Sequence, residues 1–272
     1  MIVFPNAKIN IGLNILRKRD DGYHELETVF YPLKLRDGLE FIENRAGEAR
    51  FTASGIEIEG NPEDNLVVKA YRMIAAKYPL PGLDIHLHKV IPFGAGLGGG
   101  SSDAAFMLKS LNDFFGLKIP SNTLKEYAAS LGADCAFFIE NTPSFASGIG
   151  EKLEPMLLSF AGWHLLLVKP PVEVGTKEAY AGIIPTIPTV GLRESIGMSV
   201  NNWQGNVIND FEAGIFSRFP EIGLVKEKLI ERGAVYASMS GSGSSVFGLF
   251  RNEPMWRDGD FPEGSFIWSE VF

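Results

Sequence analysis

Pro92-Phe93-Gly94-Ala95-Gly96-Leu97-Gly98-Gly99-Gly100-Ser101-Ser102-Asp103 is the stretch from which the rest of the chain can be read. Five glycines fall in the seven positions from Gly94 to Gly100. They strip the backbone of side chains, so its N–H groups can come close to a ligand. Two hydroxyls follow, and then Ala104, Leu108, Leu111 and Phe115 recur at helical spacing until Gly116 stops the helix. A bare loop running into a helix N-terminus is an anion site, because unpaired N–H groups and the helix dipole point at one place. Nucleotide phosphate is the obvious anion.

The loop differs from its better-known relatives. Gly94, Gly96 and Gly99 satisfy G-x-G-x-x-G, but a dinucleotide fold needs an acidic residue ending a second strand about 20 residues on. Asp113 stands at about that distance, inside the helix that follows the loop. No Lys follows the glycines, so the G-x-x-x-x-G-K-[ST] pattern is absent, as are the catalytic-loop and metal-binding tripeptides of protein kinases. A glycine-rich turn with no ligand is the bland alternative. So many glycines weaken a structure that gains nothing from close approach.

Composition sets the bounds. With 272 residues, 45% of them hydrophobic, and a mean hydropathy of +0.06, the chain can bury one large core or two smaller ones. A net charge of −8 argues against a nucleic-acid partner. It leaves room for a phosphorylated small molecule held by local N–H groups and one Lys. A single cysteine excludes an internal disulfide framework and a Cys-rich zinc site. The opening Met1-Ile2-Val3-Phe4-Pro5-Asn6 lacks the basic start and apolar core of a signal peptide, and no window reaches the roughly 20 apolar residues of a membrane span. The expected setting is the cytoplasm.

Ile9, Ile11, Leu13 and Ile15 alternate with Lys8, Asn10, Gly12 and Asn14, which predicts a strand with one apolar and one polar face. Arg17–Gly22 reads as a turn. Strands are expected at 39–43, 50–53 and 83–88, with a helix carrying Val67, Ala70, Tyr71, Ile74 and Tyr78 between them. A helix after Ser121 ends at Gly132, and the apolar run 135–139 follows. In the second half, a strand is expected at 163–168, a mobile connection at 182–200, and a helix at 220–232. Strands at 234–239 and 246–250 flank a second loop, Ser240-Gly241-Ser242-Gly243-Ser244-Ser245. The tail from Asn252 is expected to pack as an edge element. Mixed strands and helices in both halves point to a two-domain α+β protein, 1–155 and 156–272, with the two glycine loops facing one cleft.

Ala7-Lys8-Ile9-Asn10, Arg19-Asp20-Asp21-Gly22-Tyr23-His24-Glu25-Leu26, Asn65-Leu66-Val67-Val68-Lys69-Ala70, the glycine loop, Gly132-Ala133-Asp134, Asn209-Asp210-Phe211-Glu212 and Ser240-Gly241-Ser242-Gly243 stand in this order over most of the chain. Together they resemble the GHMP small-molecule kinase superfamily, which includes galactokinase, homoserine kinase, mevalonate kinase and phosphomevalonate kinase. The two glycine loops are shared across it. The N-terminal Lys, the Asp-Gly-Tyr-His stretch and the Gly-Ala-Asp resemble the branch whose acceptor is a cytidine diphosphate carrying the polyol methylerythritol. The resemblance implies a domain like ribosomal protein S5 domain 2 followed by a ferredoxin-like domain. It also implies transfer of the γ-phosphoryl group of ATP to the polyol 2-hydroxyl, in the non-mevalonate route to isoprenoid precursors.

By that resemblance, Asp134 acts on the attacking hydroxyl as base or orienting acceptor, and Lys8 sits beside it. Asn10 holds the polyol or its phosphate. Tyr23 and His24 read the cytosine, Tyr180 closes the other face of the base with Thr176 nearby, and Phe30 or Tyr31 lines the pocket. Pro92, Gly94, Gly96, Leu97, Gly98, Gly99, Gly100, Ser101 and Ser102 surround the phosphates of ATP, while Asn65 and Lys89 approach the adenine. Gly241, with Ser240 and Gly243, frames the transferred group. Asp103 supports the loop, and Cys135 reads as a buried core thiol. Mg²⁺ is expected as the nucleotide's companion, with no protein cage for it. The implied partners are the cytidylyl polyol and ATP, with no nucleic acid or membrane, and a monomer or weak homodimer as the working form. Homoserine- or mevalonate-type kinases, and a non-catalytic nucleotide-binding regulator, are the alternatives; the presence of both Lys8 and Asp134 counts against them.

Overall fold

The computed structural model describes residues 1–272. The chain opens with β1 (Ile2–Val3), β2 (Asn6–Lys18), β3 (His24–Arg36), β4 (Gly38–Glu43) and β5 (Arg50–Gly55). After α1 (Leu66–Ala75) and β6 (Leu83–Lys89) come α2 (Gly99–Phe114), α3 (Ser121–Leu131) and α4 (Phe137–Glu140). Strands β7 (Ser144–Ser147), β8 (Lys152–Pro155) and β9 (His164–Lys169) lead to the short helices α5 (Thr176–Tyr180) and α6 (Leu192–Ile196). Helices α7 (Phe211–Arg218) and α8 (Pro220–Glu231) precede β10 (Tyr236–Met239), β11 (Val246–Phe250) and β12 (Phe266–Val271).

The chain divides into two compact units. The first comprises Met1–Lys8, Pro32–Phe93 and Gly98–Thr142, and the second comprises Ile9–Tyr31, Gly94–Leu97 and Pro143–Phe272. The long strands β2 and β3 are each shared along their length between them.

In the first unit, the sheet order is β1-β4-β6-β5, with β5 parallel to β6 and the other pairs antiparallel. Alternation in β6 turns Leu83, Ile85, Leu87 and Lys89 inward and Asp84, His86 and His88 outward. Helix α1 starts where Asn65 Oδ1 accepts the Val67 N–H at 2.9 Å. It packs Ala70, Tyr71 and Ile74 toward α2, which buries Ala104, Met107, Leu108 and Leu111.

In the second unit, the sheet β10-β11-β9-β12 is antiparallel throughout. Leu165–Val168 at its centre are fully buried, and α7 and α8 pack Ile215, Ile222, Val225 and Leu229 into the same core. The C-terminal strand β12 is an edge strand, as expected of the tail.

Three departures from the expectation bear on the site. Strand β3 is not among the strands foreseen; Pro32 lies inside it, and a Pro argues against a central strand. The alternation in β2 does not separate core from solvent, because its first ten residues are all buried. Its polar side chains find partners instead: Lys8 with Asp134, Asn10 with Thr28, and Asn14 with Asp210. The stretch 182–200 is more than a mobile connection. Thr186 N donates to Ile15 O at 3.0 Å, and α6 buries Leu192, Ser195 and Ile196.

Candidate active site

Lys8 is buried on β2, and its Nζ lies 3.1 Å from Asp134 Oδ2. Asp134 stands in the turn that follows α3, where Gly132 N closes the helix on Ala128 O and Cys135 N turns back onto Gly132 O. The side chains are 4% and 32% exposed, so the ammonium is enclosed while the carboxylate keeps an open edge. A carboxylate in this setting can accept a hydrogen bond from an incoming hydroxyl while the ammonium offsets negative charge.

The glycine stretch closes over this pair. Gly98 has φ +69°, and a Cβ there would lie 3.0 Å from Lys8 Cε and 3.1 Å from Phe138 Cζ. It is also the N-cap of α2 and offers no side-chain cap. The first intrahelical bond runs from Ser102 N to Gly98 O, so the amides of Gly99, Gly100 and Ser101 precede it. That is a helix N-terminus prepared for an anion. These residues, with Ser102, form the first turn of α2 rather than a loop before it. Ser102 Oγ is buried with no hydrogen-bond partner.

Lys89 needs correction. Its Nζ bonds Asp37 Oδ2 at 2.5 Å and Asp103 Oδ2 at 2.8 Å, and all three side chains are at most 3% exposed. Asp37 Oδ1 also accepts the amides of Val90 and Ile91 at 2.6 and 2.8 Å. The ammonium is therefore drawn inward by two carboxylates instead of reaching toward a base. Burial raises the Asp103 carboxyl to about 7 even against the nearby Lys89 charge. Asp103 does support the loop. Asp37 was missed because an Asp before a Gly between two strands reads as an ordinary turn residue. Asn65 caps α1 and lines a cleft of about 560 Å³ with Gly55, Ile56, Ile58 and Pro62. Pro92 is half-buried at the start of the glycine stretch.

In the second unit, the remaining glycines interlock with the Gly-Ser-Gly turn. A Cβ on Gly96, at φ +71°, would lie 1.9 Å from Ser240 O. Ser240 Oγ donates to Gly96 O at 2.8 Å and accepts the Asn10 amide at 3.1 Å. Gly241 adjoins Asn10 Oδ1, and Asn10 Nδ2 donates to Thr28 Oγ1 at 3.0 Å. Gly94 O accepts the Ser244 amide, while Leu97 is buried in the core.

His24 stacks on Tyr180, with ring centroids 4.7 Å apart and 19° between planes, and Tyr180 meets Phe211 edge-on. Tyr23 and Thr176 are exposed. Phe30 and Tyr31 do not offer a free ring: Phe30 is buried, and Tyr31 packs on Phe160 and Phe272. Cys135 is buried, and burial pushes its thiol up to about 11, which makes it inert. No three His, Cys, Asp or Glu side chains gather as a metal cluster, and no helix is long and apolar enough to cross a membrane.

The GHMP kinases N-terminal domain matches residues 65–141, and the GHMP kinases C-terminal domain matches residues 192–254. A 4-diphosphocytidyl-2-C-methyl-D-erythritol kinase from Bacteroides thetaiotaomicron is 55% identical, with 93% of each chain covered. One from Parabacteroides distasonis is 50% identical, with 98% of each covered. The chain belongs to the 4-diphosphocytidyl-2-C-methyl-D-erythritol kinase family. A crystal structure of a 4-(cytidine 5'-diphospho)-2C-methyl-D-erythritol kinase, at 32% identity, superposes with a TM-score of 0.78 and covers 92% of this chain and 90% of its own. The two-domain α+β GHMP kinase fold read from the sequence is thereby established, and with it the class of ATP-dependent phosphotransferases.

Proposed function

We infer that this kinase transfers the γ-phosphoryl group of ATP to the 2-hydroxyl of 4-diphosphocytidyl-2-C-methyl-D-erythritol, giving the 2-phosphate and ADP. The observation that carries the mechanism is the Lys8–Asp134 pair, 3.1 Å apart with only the carboxylate open to an incoming group. Asp134 accepts the hydrogen bond of the attacking hydroxyl and takes its proton as the P–O bond forms. Phosphoryl transfer proceeds through a loose transition state, so alignment of the hydroxyl matters more than early proton removal. Lys8 pairs with the carboxylate and offsets charge on the transferring group.

The amides of Gly98, Gly99 and Gly100 and the hydroxyls of Ser101 and Ser102 bind the phosphates, with Gly94 and Gly96 setting the course of the loop. The cleft lined by Asn65 takes the adenine. The unpartnered Ser102 Oγ is a hydroxyl oxygen suited to a hard cation that keeps much of its water, and it would hold the Mg²⁺ that accompanies ATP. When bound, it neutralises charge on the β- and γ-phosphates. The His24–Tyr180 stack, closed between its own rings, provides an outer flat face for the cytosine, Tyr23 an exposed ring beside it, and Asn10, Thr176 and Gly241 polar contacts to the rest of the acceptor. Residues 1–155 supply nucleotide binding and the reacting pair, and residues 156–272 complete the acceptor site.

The test is ADP release from MgATP in the presence of 4-diphosphocytidyl-2-C-methyl-D-erythritol, with homoserine and mevalonate run alongside. Turnover with the cytidylyl compound alone is expected. Turnover with another of these alcohols instead would retain the kinase and overturn the acceptor site.

A further inference from the structure

The motif Asn209-Asp210-Phe211-Glu212 touches neither the Lys8–Asp134 pair nor the stacked rings through its polar groups, yet each of its polar side chains is fully engaged. Asn209 is 3% exposed. Its Nδ2 donates to Met239 O and to Gly241 O, both at 2.8 Å, and its Oδ1 accepts the Phe211 amide at 3.0 Å. Asp210 accepts the Ile15 amide at 2.6 Å, which fastens the motif to β2. Glu212 accepts the Met239 amide at 2.8 Å and the Ser238 hydroxyl at 3.1 Å, and its other oxygen pairs with Lys226.

The two carbonyls held by Asn209 bracket Ser240, the residue on which the glycine loop rests. Ser240 Oγ donates to Gly96 O at 2.8 Å, and the amides of Ser244 and Ser245 donate to Gly94 O and Ala95 O at 3.2 and 3.3 Å. There is no slack at this contact, because a Cβ on Gly96 would stand 1.9 Å from Ser240 O. A displacement of the turn must therefore displace Gly94–Gly96 as well.

We propose that Asn209 is a positioning residue for nucleotide binding, which sets the phosphate loop by clamping the backbone on both sides of Ser240. A short carboxamide is the side chain the position requires. It presents two N–H donors to two carbonyls and one acceptor to an amide, whereas a carboxylate would turn lone pairs toward both carbonyls and a hydroxyl has a single donor. Because the clamp fixes Gly94–Gly96 through Ser240, its loss acts foremost on ATP, and to a lesser degree on the alcohol, whose proposed contacts Asn10 and Gly241 adjoin the same turn. This effect rests on the kinase reading above.

The experiment compares wild type, Asn209→Ala and Asn209→Asp by steady-state kinetics, ADP titration and hydrogen exchange. The expected result is a rise in KM for ATP and in Kd for ADP on the order of tenfold or more, the size of a buried carbonyl pair losing its donors. KM for the alcohol should rise by less than KM for ATP, since Asn10 and Gly241 adjoin the turn but keep their other contacts. Exchange at the Ser244 and Ser245 amides should quicken while β9 and α8 keep their protection. Unchanged exchange at those amides, equal weakening of both substrates, or unfolding of both variants would overturn the proposal. Wild-type protein that binds ADP but fails to turn over the cytidylyl alcohol would overturn the kinase reading instead, and the titration and exchange data would still decide the clamp.

Discussion

Two lysines meet aspartates on either side of one short run of backbone. Gly98 faces Lys8 and its partner Asp134, while Gly99 faces Lys89 with Asp37 and Asp103. The residue types are the same, and the difference is access. Asp134 is 32% exposed, so an alcohol can reach it. Asp37 and Asp103 are at most 3% exposed, and Asp37 is further occupied by two backbone amides. The first pair can do chemistry on something that arrives from outside. The second ties β6, the residues after it and α2 into one frame around the N-terminus of α2. A charge pair next to a glycine loop is therefore not a functional assignment until its open edge has been found.

The comparison breaks most readily on the buried side. Asp37→Ala leaves a buried ammonium with one partner and strands two amides, so a loss of about 3–5 kcal/mol and a fall in Tm on the order of 10 °C are expected. A thermally unaffected variant that has lost turnover would make the triad part of the chemistry. On the open side, Lys8→Met should lower kcat by roughly a hundredfold with Tm little changed, since Asp134 keeps contact with water. A large drop in Tm would move Lys8 to the structural class.

His24→Ala removes one of the two stacked rings. It should raise KM for the cytidylyl alcohol about tenfold and leave KM for ATP alone. Equal effects on both substrates would point to a folding defect.

The comparison also sharpens through pH. The folded Asp103 carboxyl, raised from 3.8 to about 7, keeps a proton that the unfolded chain has already lost. Its contribution to stability is therefore full below about pH 4, declines up to about pH 7 and is flat above. Asp103→Asn should remove that slope from urea midpoints measured between about pH 4.5 and 7.5. An identical slope in wild type and variant would assign the titration to other groups.

What could be read from the sequence was what periodicity and glycine chemistry encode. The glycine stretch and α2, the alternation of β6, the apolar run of β11 and the apolar stripe of α1 all follow from local pattern. What could not be read depends on partners far along the chain. The polar residues of β2 are buried because Asp134, Thr28 and Asp210 come to meet them, and alternation cannot announce that. Lys89 looked free because Asp37 lies 52 residues away in sequence. Strand β3 was hidden by Pro32, and α6 by its surroundings of Pro, Gly and Thr. Asp134 stood out only through resemblance, since a Gly-Ala-Asp after a helix is otherwise an ordinary turn.

The most direct test of the account is turnover of 4-diphosphocytidyl-2-C-methyl-D-erythritol by Asp134→Asn, measured beside its affinity for ADP. The account expects turnover to fall by at least about a hundredfold, the scale of a lost general base, with ADP affinity close to wild type. Turnover at the wild-type rate would remove Asp134 from the mechanism and with it the distinction between the two lysine–aspartate pairs.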